Sequence, residues 1–383
     1  MIKKIMIFCA KIVYGIFKIF PTQNKVTMIS RQSNKEILDF KLLREELEKE
    51  NLEINSRNTK HKRIKVKVLC HKLEGGANAK FFEKVKYGLH MISQMYHIAT
   101  SKVVILDSYC ILISIMKHKK KLKVIQMWHS MGTMKKFGYQ ILDMEEGSKK
   151  KLADLMKMHK NYDYIFASSN AYAKQLAEGF GYDTDKIRIF SLPRVDLLTS
   201  KTYKEQVTKK IEEKYTNVTK KKNILYCPTF RKDERKLEKE IYQMIEKIDF
   251  SKYNLIIKLH PLSKINIENA KAIMDKSFSS MDMLFIADYV ISDYSCIIYE
   301  AAILNIPLFF FAFDLQEYLD NRGLTIDYKN VVPGLVSDKI TDIIKAIEDG
   351  KYDINRVAEF RKEYVTNIEN CTKKIVEFVL ELL

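Results

Sequence analysis

Two histidines follow short β-branched runs, where a strand would end. His129 lies in Gln126-Met127-Trp128-His129-Ser130-Met131-Gly132-Thr133, with Lys135-Lys136-Phe137-Gly138 after it. His260 lies in Lys258-Leu259-His260-Pro261. An imidazole titrates near neutral pH, so His129 suits taking the proton of an attacking hydroxyl. Gly132 permits backbone to turn close to a ligand. Pro261 ends a regular strand, and Lys258 with His260 suits phosphate oxygens or a leaving group. A third segment, Ser292-Asp293-Tyr294-Ser295-Cys296, feeds a helix over 297–304. Ser295 and the backbone N–H groups there suit an anion, and Glu300 one turn on suits ribose hydroxyls. Pro193-Arg194-Val195-Asp196 and Pro228-Thr229-Phe230-Arg231 each supply an Arg able to grip phosphate with two parallel hydrogen bonds. Each segment also has a plain structural reading: ring packing for Trp128-His129, helix capping for Ser292 or Asp293, a surface cation for each Arg.

The elements that must position these residues alternate. Strands are expected at 25–30, 64–70, 103–106, 124–127 and 164–167, with helices at 36–50, 81–97 and 171–180 between them. Leu192-Pro193-Arg194 closes this series, and the lysine-rich stretch 200–222 bridges to a second. The second has strands at 223–227, 255–259, 289–291 and 308–311, and helices at 237–248, 297–304, 340–348 and 375–382. Such alternation argues for parallel α/β construction. Ligands in these folds bind beyond the carboxyl ends of strands, where the motifs fall.

The chain of 383 residues is long enough for two cores. Its balance of 46% hydrophobic and 30% charged residues is that of a globular chain, not a disordered one. A net charge of +18 favours an anionic partner: nucleic acid, anionic lipid or a phosphorylated substrate. There is no zinc-finger or RNA-binding signature, and the basic run 117–123 lacks interleaved aromatics, so nucleic acid is set aside. The phosphate-loop, dinucleotide and nucleophile-elbow patterns are absent too. Six cysteines, none in a C-x-x-C pair or at metal spacing with His, suggest reduced thiols and no metal site. Residues 1–20 are apolar apart from Lys3, Lys4, Lys11 and Lys18. The lysines interrupt any membrane span, and the pattern predicts a basic amphipathic helix lying in a membrane interface.

Taken in order, Trp-His, Pro-Arg-x-Asp, Pro-Thr-Phe-Arg, Lys-Leu-His-Pro, Ser-Asp-Tyr-Ser and the later Asp314-Leu315, Tyr318 and Arg322-Gly323 resemble the CDP-glycerol glycerophosphotransferase family of teichoic acid synthesis. The resemblance is strong over residues 100–335. It implies two Rossmann-like domains facing a cleft (a glycosyltransferase-B-type fold), with the donor held mainly by the C-terminal one. By resemblance His129 and His260 are the catalytic histidines. Ser130, Met131, Gly132, Thr133, Arg194, Pro228, Thr229, Arg231, Lys258, Leu259, Ser295, Cys296 and Glu300 are assigned to the donor. Cys296 stands where members usually carry a second Ser, and Glu300 replaces the commoner Asp. The run from Trp128 to Gly138 is closer to primase-type members than to polymerases, which usually have Gly-Thr-Pro after the His.

The expected organisation is a membrane-associating helix at 1–20, an acceptor-side domain at 21–198, a CDP-donor domain at 199–355, and terminal helices at 356–383 returning to the N-terminal domain. The expected reaction transfers glycerol phosphate from CDP-glycerol to an undecaprenyl-diphosphate-linked disaccharide, releasing CMP, without a cofactor and with no metal-ligating residues assigned, at the cytoplasmic face of the membrane. The anionic membrane surface is an expected partner. Two other readings share the sequence features: a nucleotide-sugar transferase of the same fold, and a non-enzymatic basic membrane- or nucleic-acid-binding protein. Glycerol versus ribitol, one addition versus many, oligomeric state and whether a divalent ion assists stay open.

Overall fold

Short runs of Val, Ile, Leu and Phe form the strands, because β-branched and aromatic side chains pack well on a pleated surface covered on both faces. The computed structural model describes residues 2–56, 63–268 and 271–383. Met1, at the head of the expected N-terminal helix, lies outside them. The chain divides into two packed units. The first comprises Met1–Ser130, Phe137–Arg194 and Asn370–Leu383; the second comprises Met131–Lys136 and Val195–Glu369.

The first unit carries a six-stranded sheet of β1 (Lys25–Ser30), β2 (Lys65–Cys70), β3 (Val103–Leu106), β4 (Lys123–Gln126), β5 (Tyr164–Ala167) and β6 (Ile187–Ile189). All are parallel, in the order β2-β1-β3-β4-β5-β6. The second carries β7 (Lys222–Cys227), β8 (Tyr253–Ile257), β9 (Ile273–Met274), β10 (Tyr289–Ser292), β11 (Leu308–Phe311) and β12 (Val336–Ser337), parallel in the order β12-β11-β10-β7-β8-β9. The order reverses direction between β1 and β3 in one sheet and between β7 and β10 in the other. Connections leave these neighbours toward opposite sides, opening a crevice at their carboxyl ends. The edge strands β6, β9 and β12 escape sequence reading because two or three residues carry no measurable period.

Helices α1 (Ile2–Phe17), α2 (Leu38–Ser56) and α3 (Phe81–Thr100) belong to the first unit. Among the described residues no helix is long and apolar enough to cross a membrane. The bridging helix Lys201–Lys214 starts where the Ser200 hydroxyl accepts from the Tyr203 amide at 3.2 Å. In the second unit Ile224, Ile241, Met244, Leu255, Ile291, Phe309 and Ile343 share one core, each burial contributing about 1.5–3 kcal/mol.

The first unit closes at Arg194 rather than at 198, and of the terminal helices expected to return to it at 356–383 only the last does so. Helix Ile354–Tyr364 stays with the second unit, where Phe360 stacks on Tyr299 at 5.5 Å. Helix Cys371–Glu381 joins the first unit, burying Ile375 and Val376 and setting Phe378 against Tyr164, Phe166 and Phe190. The segment Met131–Lys136 leaves the first unit to pair with the second.

Gly138 sets the point where that segment returns. Its φ is 57°, and a Cβ there would sit 2.1 Å from the Gly179 carbonyl oxygen. The obstructing atom belongs to backbone, which cannot swing aside as a side-chain end could. Gly138→Ala should therefore lower stability by about 2 kcal/mol or more, read as a fall in the urea midpoint with an unchanged slope.

Candidate active site

In the first unit the site grows from the carboxyl ends of three adjacent strands, β1, β3 and β4. Ser30 ends β1, Asp107 follows β3, and Trp128-His129 follows β4. Asp107 is fully buried. Its carboxylate accepts from the Ser30 hydroxyl at 2.5 Å and the Ser108 hydroxyl at 2.7 Å. Burial pushes its pKa up, and the two hydroxyls work against that rise. Trp128 turns the chain with a φ of 66°, a left-handed conformation costly for any side chain with a Cβ. Its amide donates to the Gln126 side chain at 3.0 Å, and its ring packs against His129, Phe137 and Phe180.

That turn brings His129 Nδ1 to 2.9 Å from the Asp107 carbonyl oxygen. A carbonyl only accepts, so Nδ1 carries the proton and Nε2 keeps its lone pair. Burial holds the His129 pKa below the ordinary value, and Arg194 lowers it further against the pull of Asp107. The ring is a neutral base with a fixed tautomer. Arg194 donates to the buried Asp39 from its backbone amide at 3.0 Å and from Nε at 3.0 Å, and Nη2 also contacts that carboxylate. Its fork is thus engaged by a carboxylate of α2. Ser130 is partly buried beside this ring.

In the second unit β7, β8 and β10 are likewise adjacent, and Pro228-Thr229, Lys258-Leu259-His260 and Asp293–Cys296 leave their carboxyl ends. Asp293 is fully buried. It accepts from the Thr229 amide at 2.9 Å and from Arg231 Nη2 at 2.9 Å. Arg231 also grips Asp314, at 2.6 Å from Nε and 3.0 Å from Nη2, and donates to the Thr229 carbonyl at 2.7 Å. Tyr294, Phe313 and Tyr318 surround the guanidinium. Arg231 therefore ties the loops after β7, β10 and β11 together. Lys258 donates to Asp275 at 2.7 Å and to the Phe278 carbonyl. Burial would raise the Asp275 pKa, but Lys258, the Ser277 amide and the Tyr215 hydroxyl hold it below its usual value.

His260 is exposed and stacks on Phe230 at 5.5 Å. Its Nδ1 accepts from the Leu262 amide at 3.2 Å, so the neutral ring carries its proton on Nε2. Leu259 packs on the hydrophobic core rather than lining open space, and Pro228 is buried. Ser295 accepts from the Ile297 amide at 3.4 Å at the start of helix Ile297–Ile303, on which Glu300 is buried.

The segment Met131–Lys136 lies against these loops. The Cys296 thiol meets the Gly132 carbonyl at 3.4 Å. Thr325 donates from its amide to Met134 at 2.8 Å and from its hydroxyl to Thr133 at 2.6 Å. Lys135 pairs with Leu324 as an isolated bridge, and Met131 and Thr133 are buried. Lys135 Nζ donates to the Thr229 hydroxyl at 3.2 Å and makes no ion pair among the described residues. Burial pushes its pKa down to about 8. Sequence reading quoted Lys135 within the Trp-His segment without assigning it a role. The carboxylates Asp39, Asp275 and Asp314 were missed as partners because side-chain pairing across loops has no sequence period. Asp107 was findable, since it follows a strand as His129 does.

Asp293 serves both an amide and a buried guanidinium, so removing it strands a charge. Asp293→Ala should cost about 3–5 kcal/mol. Ser292→Ala, which loses only the 2.8 Å hydroxyl bond to Cys227 O, should cost about 1 kcal/mol. Chemical denaturation of the two variants checks the ranking.

Known proteins resemble this chain in sequence and in fold. The family described as CDP-Glycerol:Poly(glycerophosphate) glycerophosphotransferase matches residues 13–381. The chain is 30% identical over 310 residues to the teichoic acid glycerol-phosphate primase of Bacillus subtilis (strain 168), covering 78% of each. It is 28% identical over 331 residues to the teichoic acid ribitol-phosphate primase of Bacillus spizizenii (strain ATCC 23059 / NRRL B-14472 / W23), covering 84% of each. The solved wall teichoic acid polymerase TagF matches with a TM-score of 0.73 at 16% identity, over 99% of this chain and 95% of that one, a likeness of glycosyltransferase-B-like fold. The match across nearly the whole length means that this chain belongs to the CDP-glycerol:poly(glycerophosphate) glycerophosphotransferase family.

Proposed function

We propose that this chain transfers glycerol phosphate from CDP-glycerol to a hydroxyl of an undecaprenyl-diphosphate-linked disaccharide, releasing CMP, as a primase. The observation that carries the reading is the fixed tautomer of His129 in a chain of this family: its Nε2 is free of the proton that Nδ1 gives to Asp107. In the proposed step the acceptor oxygen bonds to the donor's β-phosphorus while His129 Nε2 takes its proton. The bond from that phosphorus to the bridging oxygen breaks, and the electron pair leaves with CMP. His260, with Nδ1 engaged by Leu262, offers Nε2–H to the diphosphate as charge moves onto it.

The family's donor positions Arg194, Arg231 and Lys258 are each engaged by a carboxylate of the chain. They shape and charge the loops, leaving Lys135 as a cation beside Thr229 that makes no ion pair among the described residues. We assign it to the donor diphosphate. The primase subtype rests on the run Trp128–Gly138, which lacks Gly-Thr-Pro. Ribitol is the second reading for the donor alcohol, since the relatives include a ribitol-phosphate primase.

Membrane attachment is part of the proposal. Ile5, Phe8, Ile12, Ile16 and Ile19 are exposed in and just beyond α1, and α3, packed on α1, exposes Phe81, Phe82, Val85, Leu89 and Ile92. Two adjoining apolar stripes with Lys4, Lys11 and Lys18 nearby fit insertion into an anionic interface at the cytoplasmic face of the membrane.

Incubation with CDP-glycerol or CDP-ribitol and a lipid-disaccharide acceptor, following CMP and product mass, tests the reaction. One addition from CDP-glycerol is expected; a ladder indicates a polymerase, turnover only with CDP-ribitol reassigns the donor, and no turnover with either overturns the reading. His129→Ala should lose about a thousandfold in rate while still binding donor. Lys135→Ala should lose about a hundredfold in kcat/KM, partly restored by Lys135→Arg. His129 must be unprotonated and its pKa is depressed, so the acidic limb of kcat/KM should lie below pH 6.5. Lys135 must be protonated, so activity should fall as pH rises through about 8. Phe8→Glu with Phe82→Glu should weaken flotation with phosphatidylglycerol vesicles at least tenfold, without changing the fold by circular dichroism.

A further inference from the structure

The first unit holds a cavity of about 770 Å³ beneath α1, away from the residues assigned above. Its lining includes Lys11, Lys18, Lys117, Lys157 and Lys160, against one carboxylate, Asp154. Among the described residues none of the five ammonium groups is in an ion pair. Like charges gathered in one concavity raise the energy of the empty cavity and favour an anion with more than one negative charge.

The walls are built rather than incidental. Tyr14 of α1 is buried and its hydroxyl meets His118 Nδ1 at 2.7 Å, while His118 Nε2 donates to Ile113 O at 2.7 Å. This locks α1 over the cavity. Lys157 and Asn161 of the lining, and His159 between them, adopt φ of 46°, 71° and 57°. Three left-handed residues with side chains in five positions cost roughly 1–3 kcal/mol each. A glycine would take these angles without strain. Asn161 uses its conformation to donate to Ile113 O, Ser114 O and Met116 O, at 2.8 to 3.3 Å. The Lys157 backbone bonds to Asp154 O and the Lys160 amide, but among the described residues its ammonium makes no hydrogen bond, and it lines the cavity from this strained position.

The geometry of α1 states what kind of anion fits. Lys11, Tyr14, Gly15 and Lys18 recur as one helical stripe toward the cavity. Ile5, Phe8, Ile12, Ile16 and Ile19 make a second, exposed stripe roughly 100° around the helix. One ligand can therefore engage cations on one stripe and leave hydrocarbon along the other.

We propose that this cavity binds the phosphate or diphosphate head of a membrane lipid, with the lipid chain along the apolar stripe of α1. Two sources share that chemistry: an anionic phospholipid and an isoprenoid diphosphate. The second would be the acceptor's own lipid, a link that rests on the proposed reaction; binding itself does not.

The test uses the full chain, with titration calorimetry against farnesyl diphosphate and inorganic pyrophosphate, and flotation with phosphatidylcholine vesicles with or without phosphatidylglycerol. Lys157→Gln/Lys160→Gln should weaken binding about tenfold. Asp154→Asn, removing the one opposing charge, should tighten it about threefold, a gain no misfolded variant would give. Lys149→Gln/Lys151→Gln, an equal charge change outside the cavity, should stay within twofold. Effects on farnesyl diphosphate alone identify an isoprenoid diphosphate, and effects on phosphatidylglycerol vesicles alone identify a phospholipid head; both support the site. Equal weakening by both lysine pairs, no binding of any probe, or farnesyl diphosphate binding no tighter than pyrophosphate without phosphatidylglycerol dependence would overturn it. Because CMP release is not read, a failure here leaves the transferase reading untouched.

Discussion

A fully buried carboxylate directly after a central strand organises each unit. Asp107 follows β3 and Asp293 follows β10, both where the strand order reverses. Burying a carboxylate costs several kcal/mol unless its oxygens are satisfied, so every neighbouring loop must bring a donor to it. Asp107 takes the Ser30 and Ser108 hydroxyls, and its own carbonyl then faces His129. Asp293 takes the Thr229 amide and Arg231, while Tyr328 donates to its carbonyl at 3.0 Å. The loops are held by the need to satisfy these charges, and the candidate catalytic groups inherit their positions from that need.

The same bookkeeping explains why cations at strand ends differ in what they are available to do. Arg194, Arg231 and Lys258 all follow strands, and each meets a buried or nearly buried carboxylate. A guanidinium committed in this way fixes loop geometry. Lys135 is placed by backbone pairing with Leu324 instead, so its ammonium arrives near Thr229 without an ion pair among the described residues. Its lowered pKa follows directly from that burial. The two histidines show a matching contrast. His129 is fixed by a carbonyl as a proton acceptor at Nε2, and His260 is fixed by an amide as a donor at Nε2. Neighbouring backbone decides each tautomer, and with it the half of the proton chemistry each ring can perform.

Much of the fold was legible because strand and helix periods are local properties. Val103–Leu106, Tyr164–Ala167 and Leu308–Phe311 read as strands from four residues each. Helix Ile340–Glu348 likewise declared itself by its apolar spacing. The site was legible as far as position after a strand goes: His129, Thr229, His260 and Ser295 all sit at carboxyl ends. The carboxylate partners of Arg194, Arg231 and Lys258 were not, because Asp39, Asp314 and Asp275 lie far along the chain or across loops. The partly buried setting of Leu259 against the core is a matter of packing, which strand type alone does not specify.

By itself the sequence determined the parallel α/β class, the two successive series of strands, the ordered motifs that mark the family, and the positive charge that favours anionic ligands. Each depends on residue type and near-neighbour spacing. Tertiary structure decided which unit Met131–Lys136 and the last two helices join, which cations are neutralised, which nitrogen of each histidine holds its proton, and that five lysines share one cavity under α1. Those outcomes depend on charges and hydrogen-bonding groups brought together from distant parts of the chain. Their energies are set by burial and by distances of a few ångströms, which only the folded arrangement defines.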